Sequence, residues 1–194
     1  MTKIKNWKNH VQKIIPKLSS VRYLVRRMYP CCNLNTLKMI YFAYFHTVME
    51  YDIIFWGVSA ERKRISQQQK RIIRIMTGST LRISCRMLSR KLELLTLTSQ
   101  YTLSSMRFLS SNLETYALST SVHNINTGLK LKLHKPAARL SMYQGSAYYN
   151  NINIYNKLPD DLVELVSNKK RFLLQLKKYL AHKPFYSLDE CLNA

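Results

Sequence analysis

From Trp7 to Met28, apolar residues recur at three- and four-residue steps through Val11, Ile14, Leu18, Val21, Val25 and Met28. That spacing predicts one face of a helix, kinked or restarted near Pro16. Tyr29-Pro30 closes the segment, and Asn33 or Asn35 is placed to cap a second helix running to about Glu50. The stretch 39–58, MIYFAYFHTVMEYDIIFWGV, is the most apolar of the chain. It is expected to be a buried core helix followed by a short extended Ile53-Ile54-Phe55-Trp56, with Gly57 as a turn. A third helix is predicted from about Ala60 to Thr77, stopped by Gly78 as a C-terminal cap. A fourth covers about Ser84 to Leu92 and a fifth about Thr98 to Asn112.

Residues 114–145 lack a sustained period and are rich in Ser, Asn, Lys and Gly, which predicts an irregular connection with room for one short β element. Ser146 to Asn156 partly alternates apolar and polar residues, leaving strand and helix both open. Asp160 starts a short helix after Pro159, and a last helix runs from about Lys169 to Ala181. The expected fold is therefore mainly α: a helical bundle over 1–113, an irregular connection over 114–145, and a small C-terminal helical sub-domain over 146–194. Only 4 glycines and 5 prolines interrupt 194 residues, which favours helices over a turn-rich β design.

Charge changes this picture from a bundle to a bundle with a partner. Lysine and arginine number 31 against 10 acids, a net charge of +21. Such a charge opposes compaction and makes a polyanion the default partner, nucleic acid before an anionic membrane surface. On a helical wheel of the third helix, Ile65, Ile72, Ile73 and Met76 gather on one side. Lys63, Gln67, Lys70 and Arg74 gather opposite, with Arg71 beside them. The ridge would extend about 16 Å and suits a phosphate backbone. Arg22, Arg26 and Arg27 lie off the apolar face of the first helix. In the last helix Lys170, Arg171, Lys177 and Lys178 lie largely away from a core side of Phe172, Leu173, Leu176, Tyr179 and Leu180. Smaller basic groups are Arg82, Arg86, Arg90 and Lys91, and the set Lys130, Lys132, Lys135 and Arg139. Of the 13 tyrosines, Tyr41 and Tyr44 are expected in the core, while Tyr148, Tyr149 and Tyr155 remain open as base-stacking candidates.

Several segments carry a family likeness. Trp7-Lys8-Asn9-His10-Val11 resembles a Trp-x-x-His-Ile motif, and Tyr51-Asp52-Ile53-Ile54-Phe55-Trp56-Gly57 a Tyr-Gly-x-x-x-Trp-Gly motif with Asp52 in place of glycine. The run Gln69 to Gly78 is similar to Gln-Lys-x-x-x-Arg-x-x-x-Gly. His134-Lys135-Pro136 and Ser146-Ala147 resemble a tail that leads to a Trp-Asn-x-Leu-Pro motif, here Tyr155-Asn156-Lys157-Leu158-Pro159. Phe172 to Leu180 resembles Phe-Lys-x-x-Leu-Lys-x-Tyr-Leu, with Leu173 in place of the lysine. In this order they resemble the C-terminal thumb and tail of jockey-like non-LTR retrotransposon reverse transcriptases. The resemblance implies a helical thumb that grips a template–primer duplex, RNA and/or DNA, without sequence specificity. It also implies a missing palm and fingers domain as a partner, the palm holding the parent polymerase's divalent metals. Asp52, Gly128 (where Thr-Arg is commoner) and Tyr155 depart from the family pattern, as in a decayed or diverged copy.

Catalytic chemistry is not expected in the chain itself. Paired metals about 3.5–4 Å apart need a set of carboxylates, and the one adjacent pair, Asp160-Asp161, is better placed to cap the helix that follows Pro159. The cysteines Cys31, Cys32, Cys85 and Cys191 form no C-x-x-C pair, and the histidines His10, His46, His123, His134 and His182 are scattered, so no metal or cofactor is expected. The thiols are read as reduced, in the nucleus or cytoplasm. The start, Met1 to Trp7, lacks the apolar core of a secretory signal. Two other readings compete: a basic membrane-associated protein inserting 39–58, and a non-functional retroelement relic. His46, Glu50 and Asp52 inside the apolar stretch weigh against the former, at about 2.5–3.5 kcal/mol per charge near mid-bilayer.

Overall fold

The computed structural model describes residues 7–80, 82–119 and 132–192. Gly128, Lys130 and the Met1–Asn6 start lie outside them. The chain is mainly helical and divides into two compact units, Met1–Leu97 and Thr98–Ala194, so the division falls ahead of the irregular connection.

In the first unit, helix α1 (Trp7–Met28) runs unbroken through Pro16 and buries Val11, Ile14, Leu18 and Val25. The proline removes one backbone donor but does not restart the helix, and Ser20 Oγ donates to the Pro16 carbonyl at 3.1 Å. Asn33 caps α2 (Leu34–Ile40), its side chain accepting from the Thr36 N–H. The helix then widens into a π segment (Tyr41–His46) before continuing as α3 (Thr47–Glu50). Tyr41, Phe45 and Met49 point into the core, and the rings of Tyr41 and Phe45 stack at 5.3 Å. Tyr44, expected in the core, is 57% exposed, because the wide turn rotates it to the outer face.

Ile53–Trp56 is helical (α4), not extended as the sequence suggested. Asp52 takes a left-handed conformation, φ 54°, which reverses the chain, and Trp56 Nε1 donates back to the Tyr51 carbonyl at 2.8 Å. A four-residue apolar run has no period of its own, so the turn geometry before it decides its form. Helix α5 (Arg62–Thr77) packs along α1 and buries Ile65, Ile72, Ile73 and Met76, the face its periodicity predicts. Gly78, at φ 60°, ends it in the left-handed cap geometry, and a β-carbon there would collide with the Tyr29 hydroxyl. Helix α6 (Cys85–Leu92), capped by Ser84, packs on α5.

The second unit holds most of α7 (Leu97–Ser111), whose Tyr101, Leu103, Met106 and Leu109 are buried. Within the connection, Leu118 and Leu133 form an isolated antiparallel bridge, and no strand occurs among the described residues. A short α8 (Ser141–Gln144) precedes α9 (Ala147–Tyr155), which Ser146 caps. The segment left open between strand and helix is thus a helix, with Ile152, Ile154 and Tyr155 buried. Asn156 holds the connection in place. Its amide accepts from the Leu133 N–H at 2.9 Å and donates to the Leu133 carbonyl at 2.8 Å, replacing the backbone partner a strand would supply. Helix α10 (Asp160–Val163) follows, then α11 (Lys169–His182), with Phe172, Leu176 and Leu180 buried. Leu173 and Tyr179 are only half-buried. A further helix, α12 (Leu188–Leu192), lies beyond the predicted elements.

Candidate nucleic-acid interface

The packing of α1 on α5 brings two separately predicted basic sets onto one surface. Arg26, Arg71 and Arg74 line a cleft of about 330 Å³ together with Tyr29, Ile75, Gly78 and Ser79. Arg22 sits beside them: burial, then the neighbouring Arg71 and Arg26 charges, lowers its pKa from the ordinary guanidinium value. Its Nη1 donates to Gln68 Oε1 at 2.9 Å, which fixes the guanidinium against α5. Among the described residues no carboxylate pairs with Arg22, Arg26 or Arg71. One ion pair joins Arg64 of α5 to Glu61 at 3.5 Å, at the far end of the helix. Like charges held together without acids gain from a bound anion, since the desolvation and repulsion are then offset.

The remaining predicted residues are distributed around this cleft. Lys63 and Gln67 are exposed toward the N-terminal half of α5, and Lys70 is half-buried, its carbonyl accepting a weak bond from the Cys85 thiol at 3.6 Å. Arg74 also donates to the Ile83 carbonyl at 3.5 Å. Arg27 is exposed on α1 but does not line the cleft. In the second unit Lys170, Arg171, Lys177 and Lys178 are all exposed on α11, opposite its buried side. Arg82, Arg86, Arg90, Lys91, Lys135 and Arg139 are exposed, and Lys132 is half-buried.

Two glutamines matter that charge counting passed over. Gln69 is buried at 3% exposure and its amide makes three bonds: Nε2 donates to Tyr41 Oη at 2.9 Å and to the Leu95 carbonyl at 2.8 Å, and Oε1 accepts from the Leu97 N–H at 2.9 Å. Burial pushes the Tyr41 hydroxyl up to about 12, so it stays protonated. Gln68 carries Arg22. Together they fix how the basic side of α5 is turned relative to α1 and the π segment. The signal was present, since Gln69 falls in the middle of the apolar side of the wheel, where a polar residue needs a partner.

The tyrosines left open separate. Tyr155 is buried, Tyr148 stacks on Tyr116 at 4.8 Å, and Tyr149 lies under Lys135 Nζ at 4.8 Å. Asp160 and Asp161 are exposed in the first turn of α10, but neither is its cap: Pro159 holds that position, with no side-chain capping bond. They favour the helix through its dipole alone. The residues present do not fit a two-metal centre, since no group of three His, Cys, Asp or Glu among those described could hold a metal ion. All four cysteines are free, and burial pushes the thiols of Cys85 and Cys191 up. No helix among the described residues is long and apolar enough to cross a membrane. Compared with known proteins, the chain matches no family model, no curated protein and no solved structure.

Proposed function

We propose that the chain is a non-catalytic, sequence-nonspecific nucleic-acid grip, the thumb and tail portion of a non-LTR retrotransposon reverse transcriptase, working in the nucleus or cytoplasm. The observation that carries the binding claim is the gathering of Arg22, Arg26, Arg71 and Arg74 on one surface of α1 and α5, around a cleft without paired acids. Such a surface suits phosphates and reads no base edges, so affinity is expected to be electrostatic and independent of sequence.

Support for the retroelement reading comes from how the resembling segments pack. Trp7 and Phe55 stack at 6.2 Å and His10 faces Tyr51 at 6.3 Å, so the first two motifs form one aromatic cluster. Asp52, where the family pattern has glycine, takes the left-handed conformation that glycine adopts most readily. The motif residue Gln69 is a buried structural hub, and Asn156 of the tail motif clamps the backbone next to His134.

The test is binding to an RNA–DNA hybrid duplex, followed by fluorescence anisotropy over a range of salt. The wild-type chain is expected to bind with a steep loss of affinity as salt rises. The triple substitution Arg26→Gln, Arg71→Gln, Arg74→Gln should weaken binding and flatten the logarithmic salt slope by about 2 to 3, at roughly 0.9 per lost phosphate contact. Circular dichroism checks that helix content is retained. Unchanged affinity in the folded triple variant overturns the assignment.

A further inference from the structure

Away from the arginine cleft, the N-terminal half of α1, helix α3 and Tyr51 line a second pocket of about 440 Å³. It is lined by His10, Lys13, Ile14, Lys17, Thr47, Val48 and Tyr51. Its volume falls within the range of small-molecule sites. Four kinds of surface meet in it. Ile14, 6% exposed, and the half-buried Val48 supply an apolar floor. The Tyr51 ring, 65% exposed, is a flat wall set at 30° to the His10 ring. Trp7 packs on His10 edge to face at 5.7 Å. His10 Nε2 is buried and has no hydrogen-bond partner among the described residues, which is uncommon for a buried polar atom. Lys13 and Lys17, one helical turn apart, are both exposed at the rim and paired with no carboxylate among the described residues.

We propose that this pocket seats one unpaired nucleotide, its base against Tyr51 with an edge at His10 Nε2 and its phosphate between Lys13 and Lys17. A simple anion would leave the apolar floor and the ring wall unused, and an alkyl carboxylate would bring no flat face to the ring wall. A heteroaromatic ring joined to a phosphate uses all four. The inference rests on the nucleic-acid reading of the arginine surface when the nucleotide belongs to a bound strand. A free mononucleotide is the other source of the same chemistry.

Two measurements on the whole chain separate these. In the first, adenosine 5′-monophosphate is titrated while the His10 ring proton resonance is followed by NMR, with inorganic phosphate and decanoate as controls. The nucleotide is expected to move the resonance saturably, and neither control to do so. In the second, a blunt RNA–DNA hybrid is compared with the same hybrid carrying a single-stranded overhang. If the nucleotide is strand-borne, the overhang tightens binding about tenfold. Tyr51→Leu, at an exposed position, then removes that gain and leaves blunt affinity unchanged. A saturable monophosphate response without any overhang gain assigns the pocket to a free mononucleotide. A His10 resonance unmoved by the monophosphate together with no overhang gain overturns the proposal, as does a response to decanoate alone. If blunt hybrid still binds in that case, the arginine surface stands. If blunt hybrid does not bind, that surface falls, while the monophosphate titration still decides the pocket.

Discussion

Gln69 shows most clearly how one side chain can set a surface it does not belong to. Its three buried bonds reach the π segment through Tyr41 and the chain after α6 through Leu95 and Leu97. Gln69→Ala leaves the Tyr41 hydroxyl, the Leu95 carbonyl and the Leu97 N–H without that partner in a dry interior. It is expected to cost about 2–4 kcal/mol, read as a lower urea midpoint at unchanged slope, because each stranded buried group costs roughly 1–3 kcal/mol and some relax toward water. A change under about 0.5 kcal/mol would mean the hub is dispensable. At this scale the basic residues were legible from the wheel, since a lysine or arginine opposite an apolar stripe has nowhere to point but outward. The glutamines and the orphan nitrogen of His10 were not, because polarity alone does not say whether a partner waits inside. Nor was the outward turn of Tyr44, which depends on a local change of helical pitch.

Among elements, helix ends were easier to find than the turns between them. Asn33, Ser84 and Ser146 cap helices with their own side chains, and Gly78 closes α5, each at a residue type that offers a mechanism. Helix α6 closes differently. Glu93 takes φ 56° at its C-terminal cap, where a β-carbon is crowded and glycine is not. Glu93→Gly is therefore expected to stabilise the protein by about 0.5–1 kcal/mol, a rise in melting temperature that differential scanning calorimetry would detect; a fall would show that the carboxylate has a role the cap geometry hides. Asp52 is strained in the same sense, and its reversal of the chain is why Ile53–Trp56 curls into a helical turn where four apolar residues suggested an extended run. The Ser146–Asn156 ambiguity has the same origin, since alternation and a short helix share positions until a cap is recognised.

For the whole molecule, the net charge of +21 and the shortage of acids set the behaviour of the free protein. Self-repulsion should be relieved by screening, so the melting temperature is expected to rise as sodium chloride is raised from low to moderate concentration, opposite to the fall expected for affinity. A melting temperature indifferent to salt would mean that the arginine surface is neutralised within the fold. The candidate site was half legible. The sequence supplies its arginines on α1 and α5, but that Arg22, Arg26, Arg71 and Arg74 converge is a fact of helix packing that no single wheel contains. The wide turn at Tyr41–His46 bears on how the gene can change. A π turn holds extra chain within a helix, so losing a single codon there lets the segment relax to ordinary pitch. The wide turn absorbs that loss and the residues downstream keep their facing, whereas a codon lost from the regular helix on either side would rotate them by about 100°. Tyr51 and Phe55 would stay beside His10 and Trp7 in the first case, while in the second they would leave them and open the pocket that His10 and Tyr51 line.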